Sequence, residues 1–146
     1  MIRKGYITKL MEELRRAGLD AMLICPSEEL KFFTGFRTMM CERFQGLFVK
    51  ADGSMFYLCN LIYGPEIEHL SGGEFPVYTW FDGDVMTDSV RRILDEQGLL
   101  HKRIAVNSTV EAFNILEIMD KVDVTFVNGK PILEEVRIHK TPEEME

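Results

Sequence analysis

The chain has 146 residues, of which 46% are hydrophobic and 28% charged, a balance typical of a single globular domain of ordinary size. Its 24 acidic and 17 basic side chains give a formal net charge of -7, which argues against a nucleic-acid-binding protein, because such proteins concentrate Lys and Arg. No stretch approaches the roughly 18 consecutive apolar residues that cross a bilayer, so we expect neither nucleic acid nor a membrane as a partner.

The first two predicted elements are an amphipathic helix and a buried strand. One helical face is formed by apolar residues at spacings of three and four, namely Ile7, Leu10, Met11, Leu14 and Ala17. Gly18 is placed to end this helix in a left-handed conformation. The apolar run 19–25, bounded by Gly18 and Pro26, predicts a strand that is buried on both faces.

A short helix and a hairpin are predicted next. Ser27, followed by two glutamates, is typical of a helix N-cap with an acidic first turn, and Gly35 is placed to close that helix. Asp52-Gly53 separates two apolar runs, which indicates a tight turn between two antiparallel strands.

The second half of the chain alternates helices and strands. We predict a short helix over 65–70, a strand over 76–81, an amphipathic helix carrying Met86, Val90, Ile93 and Leu94 that ends near Gly98, and a strand over 103–107. Ser108 and Glu111 have the spacing of a capping box. They predict a helix whose apolar face carries Val110, Phe113, Leu116 and Met119. A last strand over 122–129 and a short helix over 131–137 complete the series.

This order of elements predicts an α/β fold with a mixed β-sheet and helices on both faces, because at least one connection is a tight hairpin. We expect one domain over 1–136, followed by a linker over 137–146. Thr141, Pro142 and Glu144 are typical of a helix start, yet the chain stops within that first turn. One turn cannot recover its nucleation cost, so we expect the 146 residues to be the first part of a longer protein.

Candidate catalytic and metal-binding residues are few. His69, His101 and His139 are far apart and lack the spacing of a metal site, so we interpret them as surface or linker residues. The cysteines at 25, 41 and 59 form no CxxC pair, which argues against a disulfide framework or a zinc knuckle. Because the N-terminus also lacks the apolar core of a signal peptide, we expect a cytoplasmic protein.

Two segments permit both a chemical and a structural interpretation. The paired carboxylates in Asp82-Gly83-Asp84 could share acid and base roles, but we favour a turn followed by a helix cap. The neighbouring Tyr78, Trp80 and Phe81 could line a ligand pocket, although such clusters more often belong to a core or an interface. We interpret Cys25, which ends the first strand, as an inert buried thiol, because no nearby histidine would lower its pKa.

The irregular segment 36–46 mixes Arg37 and Arg43 with Met39, Met40, Cys41 and Phe44. Arginine and methionine are enriched at interfaces, and a guanidinium can grip a carboxylate with two hydrogen bonds. A solvated loop with its apolar side chains tucked beneath it explains the same composition. The sequence leaves these two interpretations open.

Several motifs in a fixed order resemble the N-terminal domain of the creatinase, prolidase and aminopeptidase P family. They are the amphipathic first helix, GLDAMLI, the capped SEELKFFTGF, and RIHKTPEEME after roughly a hundred further residues. The family's TGF segment is Thr34-Gly35-Phe36 here, and its linker motif falls on Arg137, Lys140, Thr141, Pro142 and Glu144. His139 replaces the apolar residue that is more usual there.

The resemblance implies a second, C-terminal catalytic domain that holds a pair of divalent metal ions (Mn, Co or Zn) through two Asp, one His and two Glu. None of those ligands can be placed on this chain, so we expect no catalytic residue, metal or cofactor within it. The intact protein would be an Xaa-Pro metallopeptidase acting on short proline-containing peptides. By the same resemblance, this domain would contact its own catalytic domain, support a homodimer and narrow the active-site entrance, with Phe36, Arg37 and Arg43 as contacts.

Three alternatives stay open from the sequence. A creatinase-type enzyme would hydrolyse a non-peptide C-N bond with the same architecture. A non-enzymatic relative would keep the fold, lose the metal ligands and serve as a binding or scaffold protein. A free-standing α/β ligand-binding module would fit the strand pattern but would leave the helix start at Thr141 unexplained.

Overall fold

A computed structural model describes residues 2–37 and 42–138. The strands are β1 (Ala21–Ile24), β2 (Gly46–Lys50), β3 (Met55–Asn60), β4 (Val77–Trp80), β5 (Arg103–Val106) and β6 (Thr125–Asn128). The helices are α1 (Lys4–Arg16), α2 (Glu28–Thr34), α3 (Gly64–Ser71), α4 (Met86–Glu96), α5 (Ala112–Lys121) and α6 (Lys130–Ile138), with a 3₁₀ turn at Leu61–Tyr63. None of the helices in these ranges is long and apolar enough to cross a membrane.

The strands form one mixed sheet in the order β4-β3-β2-β1-β5-β6, which confirms the predicted α/β class. β2 is antiparallel to both of its neighbours, whereas β3–β4, β1–β5 and β5–β6 pair in parallel. The predicted hairpin joins β2 to β3. Gly53 takes a φ of +92°, and its N–H donates to the Lys50 carbonyl at 2.9 Å. The Asp52 carboxylate accepts the backbone N–H of Ser54 at 2.9 Å.

The sheet separates two hydrophobic clusters, because successive side chains of a strand point to opposite faces. On one face, Met22 and Ile24 pack under α1, α2, α3 and α6. On the other face, Leu23 and Ile104 pack under α4 and α5. The predicted buried strand is confirmed, since all four residues of β1 are buried.

Three predicted helix boundaries are confirmed in detail. The Ser27 hydroxyl accepts the Leu30 N–H at 3.1 Å, which satisfies one of the amides that a helix start leaves without a partner. Gly35 ends α2 with a φ of +80°, and Gly18 follows α1 with a φ of +70°. Both glycines occupy the left-handed region that other residues rarely adopt.

The predicted capping box and apolar face of α5 are wrong. The N-cap is Glu111, it makes no side-chain capping bond, and Ser108 lies before the helix. The buried side of α5 carries Asn114, Ile115 and Ile118 instead. Three residues of the predicted face point to solvent, with exposed fractions of 54% at Phe113, 64% at Leu116 and 37% at Met119. The fourth, Val110, precedes the helix and packs against the core.

Helix α6 leaves the domain beside the N-terminus. The Phe32 ring contacts two guanidinium groups, with the Arg3 Cζ at 4.9 Å and the Arg137 Cζ at 5.1 Å from its centroid. Such cation–π contacts hold the end of α6 against α2. The predicted boundary after residue 136 falls within this helix, which continues to Ile138. The predicted helix start at Thr141 lies outside the described residues.

Five strands direct their carboxyl ends to the same side of the sheet, because β3 and β1 share one direction and β4, β5 and β6 are parallel to them. We call this side the carboxyl edge. The segments that leave it are 25–27, 61–63, 81–85 and 107–111, together with residue 129, and residues 42–45 enter β2 there. The family motif Thr34-Gly35-Phe36 precedes 42–45 in the chain.

The burial pattern of α5 can be tested with two truncations on one helix. We expect Ile118→Ala to lower the free energy of unfolding by about 2–5 kcal/mol, because it opens a cavity in the core. Leu116→Ala removes an exposed side chain and should change it by no more than about 0.5 kcal/mol. Urea unfolding at low micromolar protein concentration measures both values. Equal costs at the two positions would contradict the helix orientation.

Candidate functional site

Residues 42–45 are fastened across the carboxyl edge by buried side chains from three elements. Asn114 donates its Nδ2 hydrogen to the carbonyl of residue 42 at 3.2 Å, and the Trp80 indole donates to the carbonyl of residue 44 at 2.9 Å. The Tyr57 hydroxyl donates to the Gln45 Oε1 at 2.8 Å. Buried polar groups must be hydrogen-bonded, so these contacts satisfy the irregular segment and fix its course.

Arg43 forms a bidentate ion pair with Asp82. Its Nε donates to Oδ1 at 3.2 Å and its Nη2 donates to Oδ2 at 3.1 Å. Asn60 donates its Nδ2 hydrogen to the same Asp82 Oδ1 at 2.8 Å, and its own Oδ1 accepts the N–H of Ile62 at 3.0 Å. The arrangement joins the segment before β2 to the ends of β3 and β4.

The electrostatics of this group favour an ionised carboxylate. The hydrogen bond from Arg43 lowers the pKa of Asp82, against the opposing effect of desolvation, and the Arg43 charge and the Asn60 hydrogen bond lower it further. The pair is partly exposed to water, so its main effect is geometric. Asp82 is therefore unsuited to a general-acid role at neutral pH.

The segment Asp82-Gly83-Asp84 forms the predicted turn, in which the Asp84 N–H donates to the Phe81 carbonyl at 2.9 Å. The predicted helix cap is wrong, because Val85 occupies the N-cap of α4 and no side chain caps that helix. The turn therefore positions Asp82 for its ion pair with Arg43 and does not cap the N-terminus of α4.

The three predicted contact residues lie in different environments. Phe36 is buried and packs against Phe75 at a centroid separation of 5.9 Å, so its ring belongs to the core. Arg43 is engaged by Asp82. Arg37 is exposed, and it makes no hydrogen bond or ion pair with the part of the chain that the structure describes. Met39, Met40 and Cys41 lie outside that part.

Four large apolar side chains stand exposed on the carboxyl edge around Asp82: Leu61, Ile62, Phe81 and Val85. Sequence analysis singled out only Phe81 among them. The three aromatic residues that could have lined a pocket, Tyr78, Trp80 and Phe81, lie in different environments. Trp80 is buried under residue 44, and Tyr78 packs on Phe56. Phe81 points to solvent. The trio therefore does not line one pocket.

A shallow crevice lies where β1 and β5 end, because their following helices leave to opposite faces of the sheet. Open α/β sheets bind ligands at such points. The crevice has a volume of only about 20 Å³ and is open to solvent, and its wall includes Cys25, Thr109, Glu111 and Asn114. Burial raises the pKa of the Cys25 thiol far above its usual range, so it is inert as a nucleophile, as predicted.

Asn107 fixes the two strands that form this crevice. Its Oδ1 accepts the Cys25 N–H at 2.9 Å, and its Nδ2 donates to the Ser27 and Thr109 hydroxyls at 3.0 Å each. Sequence analysis missed this residue, since a single Asn after a strand gives no distinctive pattern. Its bonds are all internal, which indicates a structural role.

Within residues 2–37 and 42–138, no three His, Cys, Asp or Glu side chains converge in a way that could hold a metal ion. The second buried cysteine, Cys59, is also a poor ligand or nucleophile, because burial, with a smaller effect of the Glu68 charge, raises its pKa to about 12. The part of the carboxyl edge that the structure describes thus presents exposed apolar side chains around the Arg43–Asp82 ion pair.

Comparisons with known proteins indicate a single family. The profile described as the Creatinase/Prolidase N-terminal domain matches residues 7–139. None of the curated protein sequences matches the chain significantly.

The chain is similar to a dipeptidase from Pyrococcus horikoshii OT3, with 31% identity and a TM-score of 0.78 over 95% of this chain and 38% of that one. A prolidase from Thermococcus sibiricus has the same fold, with 21% identity and a TM-score of 0.79 over 99% of this chain and 39% of that one.

The creatinase/prolidase N-terminal domain of an X-Pro dipeptidase from Streptococcus pyogenes shares 17% identity at a TM-score of 0.73, over 88% of this chain and 96% of that one. This chain therefore spans less than two fifths of the two longer relatives.

The Arg43–Asp82 pair can be tested through the carboxylate pKa. In Arg43→Gln we expect the pKa of Asp82 to rise toward its usual value, because the largest cause of its depression is removed. NMR titration of the side-chain carboxyl carbon measures the shift. Asp52 is the internal control, since its pKa is lowered chiefly by Ser54 and should not change.

The pair also has a defined effect on stability. Because the folded-state pKa of Asp82 is depressed, its contribution is present at neutral pH and is lost as the pH falls through that lowered pKa. Wild type and Arg43→Gln should therefore converge in stability at acidic pH. A difference that persists below the Asp82 titration would contradict an electrostatic origin.

Proposed function

The chain belongs to the creatinase/prolidase N-terminal domain family, and on that premise we propose that it is the non-catalytic N-terminal domain of a metal-dependent Xaa-Pro dipeptidase or aminopeptidase. The observation that carries the proposal is the 31% identity to a dipeptidase along 95% of this chain but only 38% of the dipeptidase. The residues responsible for hydrolysis would then lie in a further domain.

The proposed catalytic domain would hold a pair of divalent ions (Mn, Co or Zn), which supply a bound hydroxide and polarise the carbonyl that precedes proline. No residue of this chain takes part in that step. What the chain supplies is a surface that selects and admits the peptide, together with contacts to its own catalytic domain and to a second subunit. We place the intact protein in the cytoplasm.

We propose the carboxyl edge as the surface that borders the active-site entrance. Its exposed apolar side chains surround the Arg43–Asp82 pair, and a mixture of apolar groups and arginine is typical of recognition surfaces. Arg37 follows Phe36 in the chain and is exposed. A guanidinium binds a carboxylate through two parallel hydrogen bonds, and a short peptide carries such a group at its C-terminus. Arg37 is therefore the candidate for direct contact with a peptide.

The other two predicted contact residues take supporting roles in this proposal. Phe36 anchors the end of the TGF segment in the core against Phe75. Arg43 ties the other end of the segment to Asp82. Both residues would act on the peptide through the position of the segment between them.

Activity of the longer protein provides the first test. We expect the polypeptide encoded by the full open reading frame to hydrolyse Xaa-Pro dipeptides, to lose this activity on chelation, and to regain it with added Mn, Co or Zn. Residues 1–146 alone should be inactive under every condition. Hydrolysis of creatine in place of prolyl peptides would instead indicate a creatinase-type enzyme. A full-length protein inactive with all metals would support a scaffold role.

Arg37 provides the second test. In the full-length enzyme we expect Arg37→Ala to raise the KM for prolyl peptides about tenfold or more, since a hydrogen bond to a charged group contributes about 1.5–3 kcal/mol. The matched control is Arg92→Ala, which removes an exposed arginine from α4, away from the segment. An unchanged KM and unchanged peptide-length selectivity in Arg37→Ala would overturn its role at the entrance.

A further inference from the structure

The outward face of α5 is covered by no described element. Phe113, Leu116 and Met119 follow one another at spacings of three along this face, and all three are exposed. The opposite face of the helix already fills the core with Ile115 and Ile118. Single exposed apolar residues are common, but a continuous stripe of large ones indicates a contact surface.

We propose that this face, comprising Ala112, Phe113, Leu116, Met119 and Asp120, binds the same face of a second copy of the chain, with the two α5 helices antiparallel across a two-fold axis at Leu116. The inference deepens the proposed function, because it rests on the proposed homodimer and names the surface that forms it. Two-fold interfaces require a patch that is complementary to itself. The sequence of α5 meets that requirement in both shape and charge.

The apolar spacing is symmetric about Leu116. Phe113 lies three residues before it and Met119 three residues after it. Antiparallel pairing therefore places Leu116 against the partner's Leu116 and Phe113 against the partner's Met119. A thioether next to an aromatic ring is a favourable contact, and Met adapts its shape to the ring.

The charge pattern selects the antiparallel arrangement over the parallel one. Asp120 lies four residues after Leu116 on the same face, and Ala112 lies four residues before it. Antiparallel pairing brings the Asp120 carboxylate to the partner's first helical turn. The amides of Ala112 and Phe113 have no helical acceptor there, although the Asn114 N–H donates to the Glu111 carbonyl at 3.1 Å, and Glu111 makes no side-chain cap. Parallel pairing would set Asp120 beside the partner's Asp120 and create like-charge repulsion.

One helical face is smaller than the roughly 800 Å² per partner of a stable interface, so self-association of this chain should be weak. We expect sedimentation equilibrium to show a monomer–dimer system with a dissociation constant between about 1 µM and 1 mM. Leu116→Glu should weaken it at least about 100-fold, because two buried carboxylates would meet at the axis. Ile62→Glu, which alters an exposed apolar residue on the carboxyl edge, is the matched control and should leave it unchanged.

Disulfide trapping tests the geometry of the same interface. In a Cys41→Ser background, Leu116→Cys should form a symmetric disulfide dimer under mild oxidation, since residues at the axis of two packed helices approach closely. The remaining thiols, Cys25 and Cys59, are buried and should not interfere. Glu96→Cys, exposed on α4, is the control and should remain monomeric.

The outcomes separate this inference from the proposed function. A wild-type chain that stays monomeric up to about 1 mM overturns the α5 interface. A dimer that survives Leu116→Glu, with circular dichroism confirming the fold, overturns it as well. Neither result affects the peptidase assay of the longer protein, and an inactive longer protein would leave the α5 dimer intact.

Discussion

The shared direction of five strands determines where the connections of this domain, and with them its candidate functional surface, lie. Parallel strands need long connections, and each connection here leaves the same edge of the sheet before its helix begins. Neighbouring strands β3 and β4 send their helices to opposite faces, as do β1 and β5. Because these helices diverge, a gap is left at the carboxyl edge of the sheet. Residues 42–45 cross the edge at this gap.

Residues 42–45 have no regular secondary structure, and hydrogen bonds from polar side chains fix their position. Asn114, Trp80 and Tyr57 reach residues 42–45 from a helix and two strands, and Arg43 reaches outward to Asp82. A segment held by so many separate elements loses little further freedom when it meets a ligand or subunit. Preorganisation of this kind lowers the entropic cost of binding.

Much of the fold could be predicted from the sequence because local signals decide it. Ser27, Gly35 and the Asp52-Gly53 turn each act within a few residues, and β1 is apolar throughout. Helix α5 shows where such signals fail. Both of its sides are apolar, with Ile115 and Ile118 on one and Phe113 and Leu116 on the other, so periodicity alone could not tell which faces the sheet.

The candidate site was less predictable than the fold, for a related reason. Arg43 and Asp82 are 39 residues apart and meet only because β2 and β4 flank β3. The composition of 36–46 singled out this segment, but it could not show that Arg43 would be paired or that Phe36 would be buried. Those properties depend on strand order, which no local pattern encodes.

The Phe32 ring has a consequence for how the domain can be connected to other chains. The guanidinium groups of Arg3 and Arg137 both contact this ring, at 4.9 and 5.1 Å from its centroid, so the beginning and end of the described fold are neighbours. A short designed loop could join these two ends, and new termini could be opened at the exposed β2–β3 turn. The domain is therefore suited to circular permutation. It could also be inserted as a whole into a loop of an unrelated host protein, because its two ends lie close together.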